Sequence, residues 1–245
     1  MDITLDSIRD IRLFQPKTGY RYSVDSLLLY DFIHLKTARQ IADLGAGSGI
    51  VGILLALKYP AARVSLLELQ TGLYALAKKN IVLNRLEQRV DAVQCDLSSL
   101  SSPQIIPATF DLVVSNPPFR KHMSGRINVE EERAIARHEI KVKLGDVVHA
   151  ASSLLRARGR FCIVYHPGRF AELGDSLKRE KLELKRVRFV HSDNSTEAKM
   201  VLIEAVKNGR AGLKVERPFF IYTKERGYTD EMQRIYNIEQ DFFPG

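Results

Sequence analysis

The turn from Ser115 to Phe119 carries the residue types best suited to chemistry in this chain. It follows the apolar pair Val113-Val114, so we expect it at the carboxyl end of a buried strand, where open α/β sheets bind ligands. There the Asn116 amide oxygen and the Pro117 carbonyl are two hydrogen-bond acceptors, and the two prolines stiffen the turn without adding donors. The ring of Phe119 can stack on a planar ligand. These groups suit a planar amino nitrogen. Its lone pair is delocalised into the ring of the ligand, so it attacks an electrophile only when both hydrogens are held and the nitrogen becomes more pyramidal.

The four residues Asn116, Pro117, Pro118 and Phe119 resemble the catalytic motif of S-adenosylmethionine-dependent methyltransferases that act on planar amino nitrogens. The resemblance implies that all four form a catalytic turn. The alternative is an ordinary turn after a strand, because Asn-Pro and Pro-Pro pairs are common there.

A glycine-rich turn, Asp43 to Gly49, follows the first strand of the predicted sheet. Gly45, Gly47 and Gly49 would let the backbone approach a ligand closely at a helix N-terminus. Such turns also bind nicotinamide and flavin dinucleotides. Here the glycine spacing and the carboxylate of Asp43, which would repel a pyrophosphate and attract an ammonium, favour S-adenosylmethionine.

Two further acidic residues end the next two predicted strands. Glu68 is placed to accept the ribose hydroxyls of a nucleoside, and Asp96 is placed to accept from an adenine amino group. Each could instead be a solvated strand end or a helix cap. Their position with Asp43 at the ends of successive strands favours a cofactor site.

Strand and helix signals alternate along the chain. Strands are predicted at 40–44, 63–69, 90–95, 110–114 and 161–165, and helices at 49–58, 71–83, 143–156 and 168–181, with Gly159 as the C-cap of the third helix. This order predicts a doubly wound parallel sheet. Strands at 185–190 and 199–206 are joined too closely to be parallel. The predicted fold is α/β, a class I methyltransferase Rossmann-like doubly wound sheet, mostly parallel with an antiparallel C-terminal hairpin.

The 245 residues suit a single methyltransferase domain. We divide it into a segment at 1–34 that covers cofactor and substrate, a Rossmann-like catalytic core at 35–207 and a C-terminal extension at 208–245. The two cysteines lack the paired spacing of a disulfide or metal site. The sequence shows no signal peptide and no membrane-spanning run, so we expect a cytoplasmic protein. We also expect that it binds no metal. The net charge of +8 indicates a polyanionic partner.

Two other runs extend the resemblance. Phe14 to Ser26 and Ala136 to Glu139, taken with the sheet motifs, are similar to the bacterial family of tRNA1(Val) adenine-N6 methyltransferases. The likeness covers about Asp6 to Val206 and implies methylation of the adenine 3′-adjacent to the anticodon of a valine tRNA, with S-adenosyl-L-methionine as cofactor. This chain has Phe119 where the family often has Tyr, which keeps the stacking ring and removes a hydroxyl.

The same likeness implies that Gln15, Tyr22 and Asp25 contact the cofactor. The alternative for these three is a capped helix start, because Ser23 and Asp25 precede an apolar run. The basic residues expected to surround the entrance of the site and contact RNA phosphates, with a histidine beside them, are Lys17, Arg21, Arg120, Lys121, Arg126, Arg133, Arg137 and His138. A solvated charged loop is the alternative for 120–133. We favour a structural or RNA-facing role for His138 over catalysis, because a methylated arylamine can lose its proton to water.

Three other functions fit parts of the pattern. A glutamine-N5 protein methyltransferase would use the same turn to hold a planar amide, and an rRNA guanine-N2 methyltransferase would use it to hold another exocyclic amine. An RNA-binding module without cofactor is the third. The acidic set and the high charge favour the tRNA enzyme. No obligate protein partner and no membrane contact are expected.

Overall fold

The computed structural model describes residues 2–17, 24–100, 102–117 and 143–236. An antiparallel hairpin comes first, formed by β1 (Ile3–Ile8) and β2 (Ile11–Pro16) with Ile3 opposite Pro16 and Ile8 opposite Ile11. Helix α1 (Val24–Phe32) then leads to the main sheet.

The rest of the described chain alternates strands with helices. The strands are β3 (Gln40–Leu44), β4 (Arg63–Glu68), β5 (Val90–Gln94), β6 (Phe110–Ser115), β7 (Leu155–Tyr165), β8 (Leu182–His191), β9 (Ala198–Lys207), β10 (Lys214–Val215) and β11 (Phe219–Phe220). The helices are α2 (Ile50–Lys58), α3 (Thr71–Leu83), α4 (Leu144–Leu154), α5 (Phe170–Arg179) and α6 (Asp230–Tyr236), with short 3₁₀ turns at Leu97–Ser99 and Pro167–Arg169.

The strand order of the main sheet is β10-β8-β9-β7-β6-β3-β4-β5, and β11 also pairs with β8. Strands β3 to β7 are mutually parallel, β9 runs against both β7 and β8, and β10 and β11 run parallel to β8. Because β9 is antiparallel to both β7 and β8, strands β8 and β11 run in the same direction as β3. The carboxyl ends of all these strands except β9 therefore lie at one edge, which we call the carboxyl edge.

Burial explains why the central strands are so apolar. Leu112, Val113 and Val114 of β6 are fully buried, as are Ile41 and Leu44 of β3. A central parallel strand is covered by helices on both faces, so its residues need not alternate between apolar and polar. In the part of the chain that the structure describes, no helix is both long and apolar enough to span a bilayer.

The predicted fold class is confirmed, including the antiparallel pair β8 and β9. One boundary was wrong. Helix α4 ends at Leu154, β7 starts at once at Leu155, and Gly159 lies inside that strand rather than at a helix C-cap. Gly159 sits where the β6–β7 register shifts, and a Cβ there would come within 2.9 Å of the Phe110 carbonyl oxygen. The glycine serves close strand packing at a bulge.

Helix α2 approaches the sheet unusually closely at Gly52. A Cβ on this residue would lie 2.1 Å from Leu66 Cδ2 and 3.3 Å from Val64 Cγ1, both on β4. Leu66 is fully buried, so its side chain has no solvent to move into. Glycine at position 52 thus lets the first turns of α2 rest directly on the sheet.

We expect Gly52→Ala to lower the free energy of unfolding by about 1–3 kcal/mol, because the added methyl overpacks a filled core. Urea denaturation measures the difference. Gly145→Ala is the matched control, since its Cβ in helix α4 would meet no atom of the described residues within 4 Å and alanine is the better helix former by roughly 0.5–1 kcal/mol. Equal effects of the two substitutions would contradict the packing account.

Candidate functional site

The glycine-rich turn between β3 and α2 has a backbone that favours glycine. Gly45, Gly47 and Gly49 have φ values of 67°, 59° and 93°, in the left-handed region. The turn is held from the next strand, because Glu68 Oε2 accepts from the Gly47 backbone nitrogen at 2.9 Å. Glu68 Oε1 accepts from the Gln70 backbone nitrogen at 2.8 Å. One buried carboxylate thereby fixes the turn relative to the end of β4.

Asp43 is the second acidic residue of this region, and only 2% of its surface is exposed. Its Oδ2 accepts from the Gly52 backbone nitrogen at 2.9 Å, a contact that the absence of a Cβ on Gly52 allows. Burial raises the pKa of Asp43 to about 7, the Gly52 N–H opposes that rise, and the nearby charge of Glu68 adds to it. A cation placed beside this carboxyl would reverse the shift.

Asp96 follows β5 and borders a cavity between the ends of β4 and β5. The cavity measures about 590 Å³ and is lined by Leu69, Gln70, Thr71 and Asp96, a size ordinary for small-molecule sites. Asp96 Oδ1 caps a 3₁₀ turn by accepting from the Ser98 nitrogen at 2.9 Å and its hydroxyl at 2.8 Å. These bonds lower the pKa of Asp96. The residue is a helix cap, and no described residue donates to its second oxygen.

Asn116 lies just beyond β6 and is oriented by the N-terminal segment. Its Nδ2 donates to Ser26 Oγ in the first turn of α1 at 3.0 Å, which leaves Oδ1 as the acceptor end of the amide. No described residue donates to that oxygen. Behind it, the Ser115 hydroxyl donates to the Leu44 carbonyl at 2.9 Å and joins the ends of β6 and β3. Pro117 is buried.

Two asparagines, one on α3 and one at its C-cap, bind the free edge of the N-terminal hairpin. Asn80 accepts from the Phe14 nitrogen at 2.7 Å and donates to the Phe14 carbonyl at 3.0 Å and to the Ser48 carbonyl at 2.9 Å. Asn84 pairs with Arg12 in the same way, at 3.1 and 2.8 Å. Four residues of a helix span about 6 Å, and two residues of a strand span about 6.8 Å. The spacing of the two asparagines therefore matches the spacing of Phe14 and Arg12. The side chain of Asn80 thus links the hairpin to the glycine-rich turn.

The other predicted residues of the N-terminal segment take these positions. Gln15 is fully buried, and its amide nitrogen donates to Asp6 Oδ2 at 2.6 Å. Asp25 is 4% exposed in the first turn of α1, next to Ser26. Lys17 is exposed and forms an ion pair with Asp2 at 3.8 Å. Their roles toward cofactor and RNA stay predictions.

The remaining predicted site residues lie outside the described residues. They are Arg21 and Tyr22 in the N-terminal segment, Pro118 and Phe119 of the catalytic turn, and Arg120, Lys121, Arg126, Arg133, Arg137 and His138 beyond it.

The structure brings seven residues of the predicted set together at the carboxyl edge: Asp43, Gly45, Gly47, Gly49, Glu68, Asp96 and Asn116. A family model described as "methyltransferase small domain" matches residues 22–195, which include both the glycine-rich turn and Asn116-Pro117-Pro118-Phe119. The chain belongs to the methyltransferase small domain family. Membership confirms the enzyme class, a methyltransferase, and S-adenosylmethionine as its cofactor.

Curated relatives confirm the resemblance noted in the motifs. The chain is 24% identical over 223 residues to a tRNA1(Val) (adenine(37)-N6)-methyltransferase of a Flavobacteriaceae bacterium, with 91% of this chain and 89% of the relative covered. It is 28% identical to the enzyme of that name from Porphyromonas gingivalis, with 83% and 81% covered. A release factor glutamine methyltransferase of Chlorobaculum tepidum is 32% identical, with 56% and 49% covered.

Solved structures support the fold. A predicted O-methyltransferase from Agrobacterium tumefaciens has a TM-score of 0.71 at 20% identity, with 87% of this chain and 95% of that chain covered. A geranyl diphosphate methyltransferase has a TM-score of 0.55 at 13% identity, with 75% and 84% covered.

Three residues of the site had been given no role from the sequence. Gly52 had a visible signal, since a glycine inside an apolar helical run indicates close packing. The sequence signal for Asn80 was weaker: a second asparagine follows four residues later, at the C-cap of α3. Ser26 had none, because its role depends on where α1 meets the end of β6.

We expect the affinity for S-adenosylhomocysteine to rise roughly tenfold from pH 5.5 to pH 7, because ionisation of Asp43 at a pKa near 7 favours the ligand ammonium. The raised pKa of Asp43 also makes the stability of the fold depend on pH. Relative to its ordinary value of 3.8, the buried carboxyl stabilises the fold while protonated, and that contribution is lost as pH rises from about 4 to about 7.

Calorimetry across this pH range measures the affinity, and proton release on binding should appear in the same titrations. Asp43→Asn keeps an oxygen for the Gly52 N–H but cannot ionise, so its affinity should be lower and independent of pH. A wild-type affinity that is flat over this range would show that Asp43 does not face the ligand cation.

We expect Asn80→Ala to lower the free energy of unfolding by roughly 2–3 kcal/mol, because the Phe14 and Ser48 backbone groups lose their buried partner. Asn84→Ala is the matched control. Its bonds to Arg12 are near solvent, so water replaces them and the loss should stay below about 1 kcal/mol. Urea unfolding compares the two, and similar losses would refute the proposed difference in burial.

Proposed function

We propose that this methyltransferase transfers a methyl group from S-adenosylmethionine to the N6 nitrogen of an adenine in a tRNA anticodon loop, adenine 37 of tRNA1(Val). The names of the relatives that cover most of the chain support this substrate.

The orientation of Asn116 carries the proposal. The Asn116 amide nitrogen is engaged by Ser26 at 3.0 Å, so Oδ1 is the end presented to a ligand at the carboxyl edge. An acceptor fixed in this way binds an N–H donor and repels a carbonyl oxygen. The Pro117 carbonyl is proposed as the second acceptor, and Phe119 as the ring that stacks on the base.

Cofactor binding is proposed to use the acidic ends of three neighbouring strands. Asp43 would receive the ammonium, and Glu68 the ribose hydroxyls while it keeps its bond to Gly47. The second oxygen of Asp96 would accept from the adenine amino group across the cavity between β4 and β5. The donor groups of the cofactor match these carboxylates chemically, since each carboxylate would accept a hydrogen bond from one of them. Gln15, Tyr22 and Asp25 are proposed to cover the bound cofactor.

Bound S-adenosylmethionine supplies an electrophilic methyl group on a sulfonium sulfur. Asn116 and Pro117 would hold both amino hydrogens of the base, which makes the nitrogen more pyramidal and localises its lone pair toward that methyl group. Transfer of the methyl group to the nitrogen would leave the S–C electron pair on sulfur. The methylated nitrogen is then cationic and releases one proton to water, so no side-chain base is needed.

An RNA substrate agrees with the charge of the chain, which is +8 overall. A loop base is already unpaired, so moving it into a pocket costs less than extracting a base from a duplex. Lys17 and the basic residues Arg21, Arg120, Lys121, Arg126, Arg133 and Arg137 are proposed phosphate contacts, with His138 beside them.

The second candidate substrate is a glutamine of a release factor. The observation in its favour is the relative of that name at 32% identity, the highest of the three relatives compared. That match covers only 49% of the relative, whereas the tRNA enzymes match over most of their length.

Mass spectrometry of nucleosides and of release-factor peptides separates these candidates. Unmodified bulk tRNA, rRNA and a release factor are each incubated with the protein and isotope-labelled S-adenosylmethionine. We expect labelled N6-methyladenosine from tRNA. Labelled N2-methylguanosine from rRNA, or labelled N5-methylglutamine in the release factor, would overturn the substrate assignment and leave the enzyme class intact.

We expect Asn116→Ala to lower the single-turnover methylation rate about a hundred- to a thousandfold, the scale for losing one preorganised polar group. Cofactor affinity should hardly change, because the side chain acts on the acceptor amine. Ser26→Ala should lower the rate only about fivefold, since it removes one neutral bond that orients Asn116. Rapid-quench kinetics with labelled cofactor measures both rates. A folded Asn116→Ala protein that methylates at the wild-type rate would show that Asn116 does not hold the acceptor amine.

A further inference from the structure

Three tyrosines of the C-terminal extension form a stack, which we call the tyrosine platform: Tyr222, Tyr228 and Tyr236. The rings of Tyr222 and Tyr228 have centroids 5.4 Å apart and planes 14° apart. Those of Tyr228 and Tyr236 are 5.3 Å and 28° apart. Tyr222, at one end of the stack, is 41% exposed.

The platform lies at the carboxyl edge of the sheet. Strand β11 runs parallel to β8, with Phe220 opposite His191 at the carboxyl end of β8, and Tyr222 follows directly. Strand β8 in turn runs in the direction of β6, which ends at Asn116. Four steps between neighbouring strands separate β6 from β11, or roughly 20 Å at about 4.8 Å a step. The platform and Asn116 thus share one edge of the molecule.

A rigid scaffold holds the platform in place. The Tyr222 nitrogen donates to the Ser192 carbonyl at 2.8 Å, and Tyr222 pairs with Tyr228 across a tight turn closed by Thr223 and Gly227 at 2.8 Å. Thr229 Oγ1 donates to the Phe220 carbonyl at 2.7 Å. An aromatic surface that needs no rearrangement loses little entropy when a flat ligand stacks on it.

The exposed ring of Tyr222 is not part of the hydrophobic core. Phe219 and Ile221, which precede Tyr222, are 1% and 7% exposed and supply the apolar packing of this segment. The turn between Tyr222 and Tyr228 adds exposed cations, Lys224 and Arg226, together with the carboxylate of Glu225. Aromatic rings flanked by cations are the pairing that single-stranded nucleic acid recognises.

We propose that the tyrosine platform stacks on an unpaired base of the RNA substrate, away from the base that is methylated. This inference rests on the proposed function, because it extends the RNA-binding surface of the same edge. It assigns the C-terminal extension a substrate-binding role. The cations of the turn complement the RNA backbone, and the shared edge makes the surface continuous with the catalytic turn.

A tryptophan reporter tests the stacking directly. The chain contains no tryptophan, so Tyr222→Trp creates a single fluorophore on the platform. We expect an unmodified tRNA transcript to quench this fluorescence at concentrations that match its KM. Leu213→Trp is the matched control, because Leu213 is 46% exposed in the same extension but precedes β10, away from the carboxyl edge. Equal quenching of the two reporters would overturn the platform.

Kinetics provides the second measurement. Tyr222→Ala should raise the KM for tRNA roughly 5- to 100-fold, the range for losing one base–aromatic stack, with kcat and the affinity for S-adenosylhomocysteine unchanged. Tyr222→Phe should keep the wild-type KM because the ring remains, and Leu213→Ala should be silent. A wild-type KM in Tyr222→Ala would reject the platform while leaving the proposed function standing. A wild-type protein that methylates no RNA would reject the proposed function, and the tryptophan titration would still report whether RNA binds.

Discussion

The close approach of helix α2 to the sheet at Gly52 is the constraint on which the site depends. With a side chain at this position the helix would have to stand off from Leu66, where a Cβ would come within 2.1 Å. The contact also brings the Gly52 N–H within 2.9 Å of the Asp43 carboxylate. A single missing methyl group therefore lets the helix N-terminus, the glycine-rich turn and the first acidic residue occupy one small volume.

Polar bonds between elements far apart in sequence fix the rest of the edge. Glu68 holds the glycine-rich turn from β4, Asn80 holds it from α3, and Ser26 orients Asn116 from α1. Buried groups of this kind are costly when unpaired and directional when paired, so they specify geometry more than they add stability. The N-terminal hairpin belongs to this arrangement because Asn80 binds its free edge and the turn at once.

Two surfaces of the carboxyl edge divide the proposed recognition of the substrate. The catalytic turn would read the amino group of the target base by hydrogen bonds, which need exact placement. The tyrosine platform would hold a second base by stacking, which tolerates any base because each has a flat π-face. Separating the two tasks across the sheet would let one fold bind an extended loop and still act on a single nitrogen.

The amino-acid sequence by itself determined the elements and their order. Local signals include apolar runs such as Val113-Val114, the glycines from Gly45 to Gly49 and the acidic strand ends. They predicted the sheet and its antiparallel C-terminal hairpin, and they indicate the edge that is proposed to bind the cofactor. Only the tertiary structure decided the partners. Gly159 read as a helix cap until the strand pairing of β6 and β7 placed it at a bulge. Ser26 and Asn116 are 90 residues apart, and Asn80 and Phe14 are 66 apart. Side-chain hydrogen bonds over such separations leave no periodic pattern, because they depend on how whole elements pack rather than on neighbouring residues.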